Sequence, residues 1–547
     1  MSKYSIGIDY GTLSARALLV NLENGEECAE AVYEYPHAVM SEKFLDGTAL
    51  PTDFALQHPR DYLEALEYAI PTVLKTAGVS GDAVVGIGID FTSCTLIPAK
   101  ADGTPLCFDE AFKHNKHAYA KLWKHHAATP YADKLSELMA GSELLRRFGG
   151  KFSNEFLIPK LAEIADHAPE VYRAADVFIE GGDFMTWTLT GHRTMSCGIA
   201  GFKAMYTEED GFPPNDVLKT LHPLLDGVFK EKLTDEIVYP GESIGGVTEE
   251  WAKKLGVPQG TSVSAALIDA HAAVPAAGIV DGNEMLFVLG TSGVQMVMSD
   301  EVAPVGGICG IAKHGYIKGR YAYEAGQVCL GDHFDWFVKN CVPASYAKEA
   351  KEKGVGIHAL LTEKASALRV GESGLLALDW WNGNRSILVD SNLSGMILGM
   401  TLTTKPEHIY RALIEGTAFS SRRILDAFEE AGVSVGNILV GGGIAEKNPL
   451  LMQIYADVTE RELRLVGTKQ AGALGSAIHG AVAGGAFPSV KAAAGVLAKV
   501  SDKVYRPIPE NVARYRAIYA EYKTLHDYFG RGVNDVMKRL KAMKTAK

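Results

Sequence analysis

The sequence predicts an α/β protein of two domains with mixed sheets facing a cleft, and three observations carry that prediction. A strand–turn–strand unit with a Gly-Thr tip lies at Tyr4 to Ile8, Gly11-Thr12 and Arg16 to Leu22, and it returns at Glu284 to Leu289, Gly290-Thr291-Ser292-Gly293 and Val294 to Met298. A buried strand running into a polar or glycine loop also occurs once in each half: Val84 to Ile89 before Asp90-Phe91-Thr92-Ser93, and Asn437 to Val440 before Gly441-Gly442-Gly443. Helical patterns lie between these strands, among them Pro59 to Thr76 and Pro406 to Ala431, as an α/β architecture requires.

Length sets the domain count. At 547 residues and 58.8 kDa the chain exceeds what one compact core accommodates. The boundary is expected around Ala277 to Asn283, just ahead of the second hairpin. This gives an N-terminal domain over 1–280, a C-terminal domain over 281–490 and a helical extension over 491–547. From Asn511 onward the pattern is helical and grows basic, with Lys538, Arg539, Lys541 and Lys544, and reads as a solvated terminal helix. The most apolar long stretch, Ala471 to Ala486, is made of Ala and Gly, contains His479 and is closed by Pro488. It suits a tightly packed helix better than a membrane span.

Composition narrows the function classes. Charged residues are 22% and hydrophobic ones 47%, ordinary values for a folded globular chain. Asp+Glu 66 exceed Lys+Arg 54 for a net charge of −12, so nucleic acid and anionic membrane find no basic footprint. The seven cysteines, Cys28, Cys94, Cys107, Cys197, Cys309, Cys329 and Cys341, form no C-x-x-C pair. They are expected to be reduced core thiols rather than zinc ligands or disulfides. Asp9 interrupts the first apolar stretch, which argues against a signal peptide, and a cytoplasmic protein is expected.

The turn Asp9-Tyr10-Gly11-Thr12 supplies a carboxylate able to hold a magnesium–water cluster, a glycine that lets a phosphate approach the backbone, and a hydroxyl that can donate to it. Arg16 could add positive charge nearby. The same residues also suit an ordinary surface hairpin. Repetition at Gly290-Thr291 favours the phosphate reading, because two such turns facing one another would clamp a polyphosphate. No G-x-x-x-x-G-K-[ST], strand-linked G-x-G-x-x-G or H-R-D motif competes with it. In Gly441-Gly442-Gly443-Ile444-Ala445-Glu446-Lys447-Asn448, the glycines would let a flat base or ribose lie on the backbone, and Asn448 could bond it or cap a helix.

Asp269, between an apolar stretch and an Ala-rich helix, is either a helix cap, a general base for an attacking hydroxyl, or both. His271 reads as a packed or capping histidine, with no partner at metal-ligand spacing. Glu324 and Gln327 lie among small residues, and Lys203 is an isolated charge among apolar ones; each could face a ligand or simply the surface. Trp123 could wall a sugar ring or belong to an amphipathic helix.

Together these loops resemble the FGGY carbohydrate kinases over nearly the whole chain. Asp90 to Thr95, Trp123 to His126, Tyr323 to Gln327, Trp381 to Ser386 and His526 to Gly530 are similar to the members acting on L-ribulose. The family's C-terminal signature is recognisable from Gly395 through Gly399 to Glu415. Its N-terminal one is degenerate, with Lys160 in place but Glu163 where tryptophan is common.

The resemblance implies two ribonuclease-H-like domains of the actin and hexokinase type flanking a catalytic cleft, with ATP and Mg2+. By matching position it implies Asp269 as catalytic base and Asp9 at magnesium, with Gly11, Thr12, Arg16, Gly290 and Thr291 at the ATP phosphates. Gly442, Gly443 and Asn448 would lie at the adenosine, and Ser93, Trp123, Lys203, Asp269 and Glu324 at the sugar. The implied reaction is phosphorylation of L-ribulose at its 5-hydroxyl, in L-arabinose catabolism, by a cytoplasmic homodimer. The alternatives are another pentulose or pentitol (D-ribulose, xylulose, ribitol) as acceptor, or a non-catalytic actin-like nucleotide-binding protein.

Overall fold

The computed structural model describes residues 2–234 and 236–545. Strand Tyr4–Tyr10 pairs antiparallel with Ser14–Asn21 and parallel with Val84–Phe91, while Glu27–Glu34 extends the antiparallel side. Downstream, Asn283–Leu289 pairs antiparallel with Gly293–Ser299 and parallel with Val435–Gly441, and Tyr321–Gln327 extends its antiparallel side. The two seven-stranded mixed sheets repeat one plan, with a tight hairpin and a parallel neighbour on its other edge. Each sheet buries an apolar face in its central strands: Ile6, Ile8, Ile87 and Ile89 in the first sheet, and Met285 and Phe287 in the second, are fully buried.

A smaller four-stranded sheet, built from Leu56–Gln57, Leu96–Ala99, Ala120–Lys121 and Val177–Glu180, sits with its helices beside the first hairpin around a separate apolar core. Helices Pro59–Ala77 and Pro406–Glu430 form where the periodicity predicts them.

Chain order and spatial order part company at helix Ala471–Ala483. The sequence boundaries place it in the C-terminal domain, but it packs across strands Tyr4–Tyr10 and Val84–Phe91 of the first sheet. Glycine is the reason. A Cβ on Gly7 would stand 1.7 Å from the Ala473 carbonyl oxygen, one on Gly88 1.8 Å from that of Ser476, and one on Gly86 2.0 Å from that of Gly480. Backbone therefore rests on backbone, and the Ser5 hydroxyl lies within bonding distance of both the Gly86 carbonyl on the sheet (3.0 Å) and the Ala477 carbonyl on the helix (2.8 Å).

Residues 491–547 are also more than a helical extension. Val500–Tyr505 is a strand that pairs antiparallel with Leu463–Val466 and edges the second sheet. Helix Pro509–Gly530, expected to be solvated, sinks Tyr515, Tyr522 and His526 into the core, and the Tyr515 hydroxyl donates to Glu415 at 2.8 Å. All seven cysteines are free, as expected, but Cys341 is exposed and Cys28 and Cys309 are only half-buried. Among the described residues no helix is long and apolar enough to cross a membrane.

Candidate active site

Three carboxylates gather at the carboxyl ends of adjacent parallel strands. Asp9 and Asp90 are register neighbours; Leu267 stands opposite Asp90 on the next strand, and Asp269 follows two residues later at the first turn of helix Asp269–Ala276. Strand ends of this kind are where open α/β sheets bind ligands. Helix Ala471–Ala483 arrives with its first turn over the same place: a Cβ on Gly472 would lie 3.1 Å from Asp9 Oδ2 and 3.4 Å from Asp90 Oδ1. Its free N–H groups favour negative charge there.

Burial pushes the Asp9 and Asp90 carboxyls upward. Asp90 is driven further by the Asp9 charge, whereas Asp9 is drawn back by its neighbour Asp90 and by Arg16, 3.7 Å away. Asp90 Oδ2 accepts from the Ser476 hydroxyl at 2.6 Å, while its buried Oδ1 has no partner. Two adjacent desolvated carboxylates with an unsatisfied oxygen fit a hydrated magnesium ion, which takes one or two carboxylates and keeps its waters. Among the described residues no three His, Cys, Asp or Glu side chains close into a ready-made metal cage.

Both Gly-Thr tips are tight turns, closed by Gly11 N–H to the Ser14 carbonyl and Gly290 N–H to the Ser292 carbonyl, each 3.0 Å. Thr291 is exposed at its tip. Thr12 is engaged: its hydroxyl oxygen accepts from the Trp123 indole at 3.2 Å and its carbonyl from the Gln57 amide at 2.7 Å. Trp123 occupies a turn rather than a helix, so it connects the pocket wall to the first hairpin. Gly442 adopts φ +101°, and a Cβ there would stand 2.3 Å from the Leu289 carbonyl oxygen. Only glycine lets this loop press on the strand that leads into the second hairpin. Gly443 faces open space. Asn448 caps helix Pro449–Thr459, its Oδ1 accepting from Leu451 N–H at 3.0 Å.

Lys203 ends helix Cys197–Lys203 and is buried, and Glu324 projects from strand Tyr321–Gln327. Burial acts to neutralise both. The Lys203 ammonium and a 2.7 Å hydrogen bond from His271 Nε2 overcome it at Glu324, bringing that carboxyl to about 2, and the Glu324 charge in turn holds Lys203 above the usual lysine range.

His271 is the packed histidine the sequence suggests, wedged between Phe202 and Tyr316 with both ring centroids 4.6 Å away. Burial lowers its pKa and keeps it neutral, so its role is to orient Glu324. Asp269 behaves oppositely to Glu324. Its Oδ1 accepts from Ala270 N–H at 2.8 Å, but burial, then the Asp9 charge, lift its carboxyl to about 7. Half-buried at the cleft, it is a carboxylate poised to exchange a proton near neutrality.

Ser93 is half-buried beside Cys94, which sits at φ +60°. Lys160 Nζ fixes this loop by donating to the Cys94 carbonyl at 2.5 Å, and the Trp123 turn by donating to the Leu122 carbonyl at 2.9 Å. Glu163, the departure from the family signature, is fully buried and paired with Lys121 at 3.0 Å and His125 at 2.9 Å. The structure brings Asp269, Lys203 and Glu324 within one another's electrostatic reach, and Trp123 meets Thr12 at the first hairpin.

Sequence reasoning passed over Asp90, Glu155, Cys309 and Arg385. Asp90 carried a signal, since it ends a buried strand as Asp9 does, and Arg385 lies in the family-like segment Trp381 to Ser386 without having been given a role.

The N-terminal domain of the FGGY family of carbohydrate kinases matches residues 4–275, and the C-terminal domain of that family matches 285–484. The chain belongs to this family. Proteins named ribulokinase are similar across almost the full length. That of Halalkalibacterium halodurans is 49% identical over 100% of this chain and 98% of its own. That of Bacillus licheniformis is 48% identical over 97% and 98%, and that of Mycolicibacterium smegmatis 44% over 99% and 97%. Among solved structures, gluconate kinase from Lactobacillus acidophilus superposes with TM-score 0.81 at 19% identity, covering 97% of this chain and 99% of that one. Xylulose kinase from Rhodospirillum rubrum does so with TM-score 0.79 at 22%, covering 96% and 98%. These two share the fold with this carbohydrate kinase.

Proposed function

We propose that this carbohydrate kinase is a ribulokinase, transferring the γ-phosphate of ATP to the 5-hydroxyl of L-ribulose to give L-ribulose 5-phosphate and ADP. The observation that carries the reaction is Asp269, a carboxylate lifted to about 7, standing between the Asp9 and Gly-Thr side of the cleft and the Lys203–Glu324 pair. The acceptor is supported by the 44–49% identity to proteins named ribulokinase.

Asp269 takes the proton of the attacking hydroxyl as its oxygen forms the bond to phosphorus and ADP leaves. Lys203 and Glu324 present a donor and an acceptor to the sugar hydroxyls and hold its chain in line. Thr12 and Thr291 at the two turns, with Arg16, receive the spreading phosphate charge, and Gly11 and Gly290 let the phosphates approach the backbone. Magnesium, held through Asp9 with Asp90 beside it, would supply further charge neutralisation on the phosphates. Gly442, Gly443 and the Asn448 cap form the adenosine side. The reading includes a cytoplasmic homodimer working in L-arabinose catabolism.

The test is a coupled ADP-release assay over L-ribulose, D-ribulose, xylulose and ribitol. L-Ribulose is expected to give the highest kcat/KM; a higher value for any other acceptor would overturn the assignment, and sugar-independent ATP turnover alone would point to a non-catalytic relative. Lys203→Ala is expected to raise KM for the sugar more than it lowers kcat, because the side chain holds ground state and transition state alike. An unchanged KM for every acceptor would remove Lys203 from the sugar site.

A further inference from the structure

Resting on the reading that this cleft phosphorylates a short sugar, we propose that Arg385 and Glu155 form the far wall of the acceptor pocket and determine how long an acceptor it admits. The two residues come from opposite sides of the cleft. Arg385 belongs to a segment fastened to strand Tyr321–Gln327. Ser386 N–H donates to the Gly326 carbonyl, and Gly326 N–H donates to the Ser386 hydroxyl oxygen, both at 3.1 Å. Glu155 lies in the turn leading into helix Leu157–His167 of the first domain. Their side chains meet as an ion pair, Nη2 to Oε1 at 3.3 Å, with 32% and 18% of their surfaces still open.

The pair adjoins the sugar-holding residues. Glu324 and Gly326 are two apart on one strand and so share a face. A Cβ on Gly326 would stand 3.3 Å from Arg385 Cδ, so the missing side chain is what lets the arginine stem lie beside Glu324. Cys309 closes the same corner: its N–H donates to the Glu324 carbonyl at 2.8 Å and its Sγ lies 4.0 Å from the Ser386 hydroxyl. On the other domain, Glu155 directly precedes Phe156, over whose ring the Lys203 ammonium sits at 5.7 Å.

The charges keep the same order along the cleft. Asp269 feels Asp9, Glu324 and Lys203, while the Arg385 charge, disfavoured by burial, is favoured by Glu155 first and then by the Cys309–Glu324 corner. An acceptor with its reacting hydroxyl at Asp269 therefore runs past Lys203 and Glu324 and ends at Arg385–Glu155. A longer chain has to part the pair, losing a partly desolvated ion pair and leaving each charge short of a partner. A shorter one leaves space unfilled.

Test variants are Glu155→Gln, Arg385→Lys, Arg385→Ala and the charge swap Glu155→Arg with Arg385→Glu, each checked by thermal melting. The readout is kcat/KM for L-ribulose against a ketohexose with the same coupled assay. Glu155→Gln and Arg385→Ala are expected to shift this ratio toward the ketohexose by about 10-fold or more, the scale on which one carbon is discriminated. KM for L-ribulose should rise and kcat change little, and the charge swap should recover part of the wild-type ratio. An unchanged ratio in variants that melt like wild type, or single-variant effects that simply add in the swap, would overturn the proposal.

If Arg385→Ala does not fold, Glu155→Gln and Arg385→Lys carry the same test. If the wild-type enzyme prefers a different acceptor, the ribulokinase reading fails by itself, and the ratio is measured for that acceptor against its one-carbon-longer homologue.

Discussion

Asp269→Asn is expected to lower turnover by roughly two to four orders of magnitude, with ATP binding retained. The asparagine keeps the shape and the bond to Ala270 N–H but cannot take the proton of the attacking hydroxyl. Steady-state assay beside nucleotide titration checks this, and near-normal turnover would remove Asp269 from the role. The wild-type pH profile carries the same residue. With its carboxyl near 7, Asp269 is increasingly protonated below that pH, and kcat/KM should fall about tenfold per unit on the acid side.

The same substitution should stabilise the fold. Asp269 titrates at about 7 in the native protein against 3.8 unperturbed, so its contribution to stability is fully present below pH ~4 and lost as pH rises through 7. The uncharged asparagine loses nothing across that window. Asp269→Asn should therefore melt higher than wild type at pH 8, and the gap should close toward pH 4. A three-unit shift corresponds to ~4 kcal/mol if fully transmitted, and the half-open setting of the group brings the expected gain down to the order of 2 kcal/mol. A variant that melts lower than wild type at pH 8 would contradict the strained-carboxylate account.

Gly88→Val is expected to prevent stable folding. An added Cβ would stand 1.8 Å from the Ser476 carbonyl oxygen and 2.5 Å from its carbon, and both belong to helix backbone rather than to a side chain that could swing aside. The helix must lift from the sheet, at a cost of ~3 kcal/mol or more. Its first turn then leaves Asp9 and Asp90, so any protein that does fold should lose phosphoryl transfer as well. Thermal melting and the soluble fraction on expression check this; a wild-type melting temperature would show that helix and sheet are less closely pressed than the backbone distances require.

Much of this was legible in the sequence because it is local. Two hairpins with Gly-Thr tips, two strands ending in polar or glycine loops, and a carboxylate at the mouth of an Ala-rich helix are all patterns within ten residues, and each keeps its expected form. What escaped depends on partners hundreds of residues apart. Ala471–Ala483 reads as a buried helix from its composition, but nothing in its residues tells which sheet it covers. The matching clue, glycine at 7, 86 and 88 within strands, signals close approach of backbone without naming the visitor. Arg385 stands in a family-like segment and Glu155 in an unremarkable loop, and only the fold sets them 3.3 Å apart. Glu163 looked like a lapse in a family pattern, whereas burial with Lys121 and His125 gives it a place.

The helix over the first sheet also sets a timetable. Strand Val84–Phe91 leaves the ribosome about 380 residues before helix Ala471–Ala483 begins, a delay of roughly 20–80 s at ~5–20 residues per second. Throughout that interval the sheet face bearing Gly7, Gly86 and Gly88 lacks the helix that presses on it, and Leu18 and Val20 beside those glycines lack the partners that bury them. The nascent N-terminal half must wait, shielded or loosely ordered, while the second half is made. Asp9 and Asp90 acquire the helix end above them only when that segment emerges, so a partly synthesised chain cannot spend ATP.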